Sequence, residues 1–252
     1  MQSRDFISYV QKTYPELLMP CVNAYSEQVK QLAHGTTVIG VCYDDGVILA
    51  GDRRMTAGTE IARTLADKVV SIDMHAAIAF SGTMATCMQM ADVIRISQNN
   101  FCKMNGYQLS LEGKAKYLSQ LIRQNLEHAF QGLVFCPLLA GYDLNAKKGF
   151  IFSYDIAGAI FKNAKYAFDG SGGKSAGAAL KAGWKENLTF DNALLLTIKA
   201  LKNAAEEDSA TGGLEHTPSV YKIDNNGCSI VENSILKQKI NEINQKTGEI
   251  NE

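Results

Sequence analysis

Five short stretches hold the hydroxyl, carboxylate and ammonium groups that nucleophilic and acid–base chemistry draws on. Gly35-Thr36-Thr37 stands where a polar N-terminal stretch gives way to a β-rich run. Gly51-Asp52-Arg53-Arg54 closes the next apolar run, and Lys68 immediately precedes Val69-Val70. Asp169-Gly-Ser171-Gly-Gly-Lys174 is glycine-rich, and Asp208-Ser-Ala-Thr211-Gly-Gly213 follows a helical stripe. Taken singly, each has an ordinary reading. Threonine is a common β-former, Asp52 with its arginines suits a solvated turn, and Lys68 suits a strand edge. Residues 208–213 suit a helix end and turn. The glycine run at 169–174 lacks the spacing of a phosphate-binding P-loop, and neither a G-x-S-x-G elbow nor a G-x-G-x-x-G fingerprint is present. The histidines (His34, His75, His128, His216) are dispersed, and the cysteines (Cys21, Cys42, Cys87, Cys102, Cys136, Cys228) form no C-x-x-C pair. The sequence therefore implies neither a metal site nor a cofactor.

The elements that must position these groups follow from periodicity. Residues 36–43 and 47–50 read as strands joined at Asp45-Gly46, and 68–72 and 76–80 as a second pair joined near Asp73. A helix from Met84 to about Ile96 is apolar on several faces, which predicts burial from more than one side. Leu111, Ala115, Leu118, Ile122, Leu126 and Ala129 predict one amphipathic helix over 111–130. Strands are expected at 138–142, 149–156 and 160–167. Helices are expected at 175–185 and 190–206, the latter N-capped by Thr189. A hairpin over 219–224 and 228–231 turns at Asn226-Gly227, and a polar terminal helix carries Leu236, Ile240 and Ile243. Strands grouped before and after paired helices predict an α+β fold, with helices outside two antiparallel sheets. Residues 1–35, with Pro15 and Pro20, read as a leader rather than core.

Composition narrows the function classes. The 252 residues hold 25 Lys+Arg against 26 Asp+Glu, and 46% are hydrophobic. That balance suits a globular chain with a full core and argues against a nucleic-acid binder, which carries a basic excess. No apolar run approaches the roughly 18 residues of a membrane span, and the N-terminus lacks the apolar core of a signal peptide. A cytoplasmic protein is expected.

In combination the five stretches lose their separate readings. The run HGTTVIGVCYDDGVILAGDRRMTAGTEIARTLADKVVSID resembles the N-terminal half of proteasome β-subunits, the actinobacterial-type bacterial 20S form above all. FSGT at 80–83, QGLVFCPLLAGYD at 131–143, DGSGG at 169–173 and EEDSATGG at 206–213 extend the resemblance along the chain. FISYVQKTYPELLMP at 6–20 resembles the bacterial propeptide. The resemblance implies an N-terminal-nucleophile hydrolase with a four-layer αββα sandwich. It also implies a propeptide, 1–35, removed by self-cleavage at Gly35–Thr36, and a catalytic domain over 36–252. Thr36 then matches the nucleophile, with its freed α-amine as the base. Lys68 matches the active-site lysine and Asp52 its carboxylate partner. Ser171 and Asp208 match the pair around the α-amine, and Gly82 matches the oxyanion-hole position. Thr56 and Met84 fall where substrate is laid alongside as a strand, and Met55, Phe80 and Met84 form the wall of an apolar, partly filled S1 pocket. Thr211 stands where many relatives carry serine, and Met84 where many carry alanine.

The resemblance further implies heptameric β-rings stacked in a pair, α-subunit rings at the ends, an ATPase ring as activator and unfolded proteins as substrates. Two alternatives stand beside a threonine endopeptidase. One is a catalytically silent ring subunit, which usually lacks the nucleophile or the lysine. The other is the two-ring bacterial threonine protease, which typically has Gly-Asp-Gly-Gln where this chain has Gly51-Asp-Arg-Arg54.

Overall fold

The computed structural model describes residues 36–57, 60–63 and 66–248. Residues 1–35, including Gly35 of the expected self-cleavage site, lie outside the described residues. From its first described residues the chain forms β1 (Thr37–Tyr43), turns at Asp44-Asp45, and returns as β2 (Gly46–Gly51). A short hairpin, β3 (Met55–Ala57) and β4 (Glu60–Arg63), leads to β5 (Val69–Asp73) and β6 (Ala76–Gly82). Helices α1 (Met84–Asn105), α2 (Leu111–Gln124) and α3 (Leu126–Phe130) follow, then β7 (Phe135–Asp143), β8 (Lys148–Tyr154), β9 (Ile160–Asn163) and β10 (Tyr166–Gly170). Helices α4 (Gly173–Gly183) and α5 (Phe190–Glu207), strands β11 (Ser219–Asp224) and β12 (Gly227–Ile230), and helix α6 (Asn233–Gly248) complete it.

Every residue of β1 and β2 is buried, because these strands are covered on both faces. Alternation sorts their side chains. Ile39 and Val41 pack with Leu194, Leu201 and Leu236 beneath α4–α6, whereas Val38, Val47 and Leu49 meet Ala77, Leu138 and Ile151 of the other sheet. A third core joins Ile78 and Leu139 to Ile94, Leu118 and Ile122 of α1 and α2. One sheet runs β10-β1-β2-β11-β12 and the other β5-β6-β7-β8-β9, all pairs antiparallel. The layers are thus helices, sheet, sheet, helices, an α+β sandwich. Each fully buried aliphatic side chain stabilises it by about 1.5–3 kcal/mol. No helix among the described residues is long and apolar enough to cross a membrane.

Some elements differ from what periodicity predicts. The stripe over 111–130 breaks at Asn125, whose side-chain amide donates to the Leu133 carbonyl at 3.0 Å, so its tail forms the separate α3. The single strand expected over 160–167 is two: β9 pairs with β8, and β10 pairs with β1 in the opposite sheet. Helix α1 runs on to Asn105, where Gly106 at φ +76° ends it. Its burial is one-sided, and Met88 and Ile96 are exposed.

Candidate active site

Strand β1 lies between β10 and β2, so its start is flanked by Gly170-Ser171 on one side and Gly51-Asp52 on the other. Asp52 leaves the end of β2 with its carboxylate held by backbone donors. The Thr37 N–H donates to Oδ1, and the N–H groups of Arg54 and Gly212 donate to Oδ2, each at 2.9 Å. Lys68 enters from the facing sheet, just before β5, and its Nζ donates to the same Oδ1 at 2.9 Å. The ammonium also donates to the Arg54 carbonyl, and the Lys68 carbonyl accepts from Phe80 N–H at 3.0 Å. Lys68 is 0% exposed and Asp52 2%. Burial pulls the Lys68 ammonium below its ordinary pKa, and the Asp52 charge opposes that pull without cancelling it.

A second limb comes from β10 and the end of α5. Ser171 N–H donates to the Thr36 carbonyl at 2.9 Å, and Thr36 N–H donates to Ser171 Oγ at 3.2 Å. This approach needs Gly170: it sits at φ +98°, and a Cβ there would fall 1.8 Å from the Thr36 carbonyl oxygen. Ser171 Oγ donates to Asp208 Oδ2 at 2.5 Å, and Thr211 Oγ donates to the same oxygen at 2.6 Å. With its proton so committed, Thr211 Oγ accepts from Thr37 Oγ at 2.7 Å. Gly172 N–H completes the chain by donating to Thr37 Oγ at 3.1 Å. Partial burial works against ionised Asp208, but the bonds from Ser171, Thr211 and the Ala210 N–H, with the Lys68 charge, outweigh it and hold the carboxyl below its usual range.

Gly82 ends β6 opposite Phe135 at φ +119°, where a Cβ would lie 2.3 Å from the Val134 carbonyl oxygen. Beyond it a cleft of about 820 Å³ is lined by Met55, Val70, Phe80, Met84 and Met88. Thr56 follows Met55 in β3. The cleft is roomier than two bulky wall residues suggest, and Asp67, Asp92 and Arg95 also line it. These charges are partnered: Asp67 pairs with Arg53 at 2.7 Å, and Asp92 with Arg95 at 3.9 Å.

Thr36, Asp52, Lys68, Ser171, Asp208 and Thr211 are therefore joined in one hydrogen-bonded system, with Gly82 and the cleft on the facing sheet. Sequence reasoning missed Thr37, whose amide and hydroxyl link the two limbs, and the backbone of Arg54 and Gly212. A second threonine directly after Thr36 was the available signal.

Residues 32–217 match the family described as proteasome subunit. The chain belongs to the proteasome-subunit family. Within it, the likeness is to β-subunits. The proteasome subunit beta of Streptomyces griseus subsp. griseus is 40% identical over 226 residues, covering 88% of this chain and 79% of that one. That of Acidimicrobium ferrooxidans is 39% identical over 223 residues, covering 87% and 82%. That of Frankia casuarinae is 37% identical over 219 residues, covering 87% and 80%. The paired antiparallel sheets between helical layers are the proteasome-family fold.

Proposed function

We propose that this proteasome β-subunit is a catalytic one, a threonine endopeptidase whose nucleophile is Thr36. The observation that carries the reading is the buried Lys68–Asp52 pair, tied through Thr37 N–H to the start of β1, directly after Thr36. A silent subunit has no use for a buried ammonium at this point, and the desolvation cost of such a pair favours a functional reason for keeping it.

In this reading the Gly35–Thr36 bond is cut and residues 1–35 are released. Thr36 then carries a free α-amine, with a reference pKa of about 7.7–8.0, which serves as general base near neutral pH. The Thr36 Oγ attacks the scissile carbonyl carbon, and its proton passes to the α-amine, directly or through a water. The Lys68 ammonium stabilises the developing alkoxide, and Asp52 keeps that ammonium charged and oriented. Ser171 Oγ accepts from Thr36 N–H and donates to Asp208, and in this reading the two hold the amine and its water. The Gly82 N–H faces the oxyanion. The tetrahedral intermediate expels the leaving amine, which takes the proton, and water hydrolyses the resulting ester. Thr56 and Met84 hold the peptide main chain, and the cleft accepts an apolar P1 side chain.

Partners follow from the same reading: heptameric β-rings stacked in a pair, α-rings, an ATPase ring, and unfolded proteins as substrates in the cytoplasm. The test is covalent trapping. Assembled particles treated with an electrophilic peptide should carry the adduct on a peptide beginning at Thr36. An adduct confined to any other residue rejects the reading.

A further inference from the structure

Strand β1 is bracketed by two acidic residues, one from each neighbouring strand. Asp52, after β2, reaches across to Lys68 on the other sheet. On the opposite flank, Asp169 of β10 stands directly across from Val38 of β1. Residues paired this way share a face of the sheet, so Asp169 points with Val38 toward the other sheet. There its carboxylate accepts a hydrogen bond from Ser81 Oγ of β6. The first cross-sheet contact is part of the proposed machinery; the second takes part in no step of it. Its position in the chain is informative. Ser81 immediately precedes Gly82, and Asp169 lies two residues before Ser171, whose N–H holds the Thr36 carbonyl.

Resting on the threonine-peptidase reading, we infer that the Asp169–Ser81 contact is a positioning brace that fixes Gly82, on one sheet, against Ser171 and Thr36 on the other. Ser81 is buried, and its other acceptor, the Cys136 carbonyl, lies at a long 3.5 Å. Asp169 is therefore its principal partner. Two thiols neighbour the carboxyl, Cys136 of β7 and Cys87 of α1, and burial pushes both pKa values up, Cys136 to about 11, so neither carries charge near neutral pH. Burial also raises the Asp169 carboxyl above its usual range, against the bonds from Ser81 and the Gly170 N–H. The brace tolerates either protonation state: Ser81 donates to the carboxylate, or the protonated carboxyl donates to Ser81. An amide oxygen accepts equally well.

Ser81 and Asp169 act through one contact, so losing either member removes the whole brace and the two losses do not add. The experiment is a double-mutant cycle in assembled particles: Ser81→Ala, Asp169→Val, both together, and Asp169→Asn. With a fluorogenic peptide bearing an apolar P1 residue, each of the first two should lower kcat about tenfold, as displacements of reacting groups do, with KM within about twofold. The double variant lacks the same single contact and should lose about as much as either single one, and Asp169→Asn should stay close to wild type. A double variant restored to wild-type kcat overturns the inference, because it works without the brace. Wild-type kcat in both single variants, or losses that simply multiply in the double, overturns the inference. A lowered Tm with unchanged kcat overturns it too, by reducing the contact to a structural tie. If wild-type particles have no peptidase activity, the threonine-peptidase reading fails separately, and amide exchange judges the brace. Exchange over 80–83 and 169–173 should quicken together in each single variant and be no faster in the double. Unchanged exchange in the single variants overturns it.

Discussion

The amide of Thr37 and the ammonium of Lys68 meet on one oxygen of Asp52, each at 2.9 Å. A residue of the first strand and a residue of the opposite sheet are thereby held to a common point. The position of Lys68 relative to the start of β1 is set by a carboxylate that three backbone N–H groups already fix.

That arrangement makes Lys68→Ala a clean test. Asp52 keeps its three backbone donors, so the variant should fold and assemble. Its peptidase rate should fall by roughly 10²–10³, the usual cost of one lost electrostatic contact to a developing charge. Lys68→Arg should rescue little, because a planar fork cannot reproduce the geometry of an ammonium buried between Asp52 and the Arg54 carbonyl. Steady-state kinetics on assembled particles checks both, and near-normal turnover by Lys68→Ala contradicts the assigned role.

Asp208 gives a pH dependence of defined sign. Its folded-state pKa is depressed, so its contribution to stability is fully present above the unfolded carboxylate value, about 3.9, and is lost as pH falls through the lower folded value. Asp208→Asn should flatten that acid limb. Thermal unfolding from pH 5 downward measures it; parallel wild-type and variant curves would show that Asp208 does not contribute.

Gly82→Ala tests the turn at the end of β6. At φ +119°, with the Val134 carbonyl oxygen in the place of a Cβ, the backbone must shift. The expected cost is about 1–3 kcal/mol of stability, read as a lower Tm, together with a loss of kcat larger than any change in KM. An unchanged kcat would remove Gly82 from the oxyanion role.

The cleft predicts specificity. Met55, Phe80, Met84 and Met88 present apolar surface, and the charges in the lining already have partners. A charged P1 side chain would lose water without gaining a counter-ion. Peptides differing only at P1 should be cut faster after Leu, Tyr or Ala than after Arg or Glu. Met84→Ala should shift preference toward larger P1 residues, and the opposite order of rates rejects the pocket.

Much of this was legible in the sequence. Thr189 caps α5 through its side chain, as its place before the apolar stripe predicts, and the near-continuous apolar runs of β1 and β2 suit strands covered on both faces. The division of 160–170 between two sheets was not legible, because alternation reports which face of a strand is buried but not which sheet it joins. Asn125 escaped for a similar reason: its helix-breaking bond goes to Leu133, a partner that periodicity does not see. Within the site, Thr36, Asp52, Lys68, Ser171 and Asp208 carried meaning only in combination. The Asp169–Ser81 contact joins residues 88 apart on opposite sheets and depends on register alone.

The central claim is that Thr36 becomes the N-terminus and acts as nucleophile. Before cleavage its nitrogen is an amide, already bonded to Ser171 Oγ at 3.2 Å, and has no basic lone pair to offer. N-terminal sequencing of the β chain from assembled wild-type and Thr36→Ala particles tests this most directly. The account predicts a uniform start at Thr36 in wild type and a retained leader in the variant. A wild-type chain that starts uniformly at any other residue contradicts it.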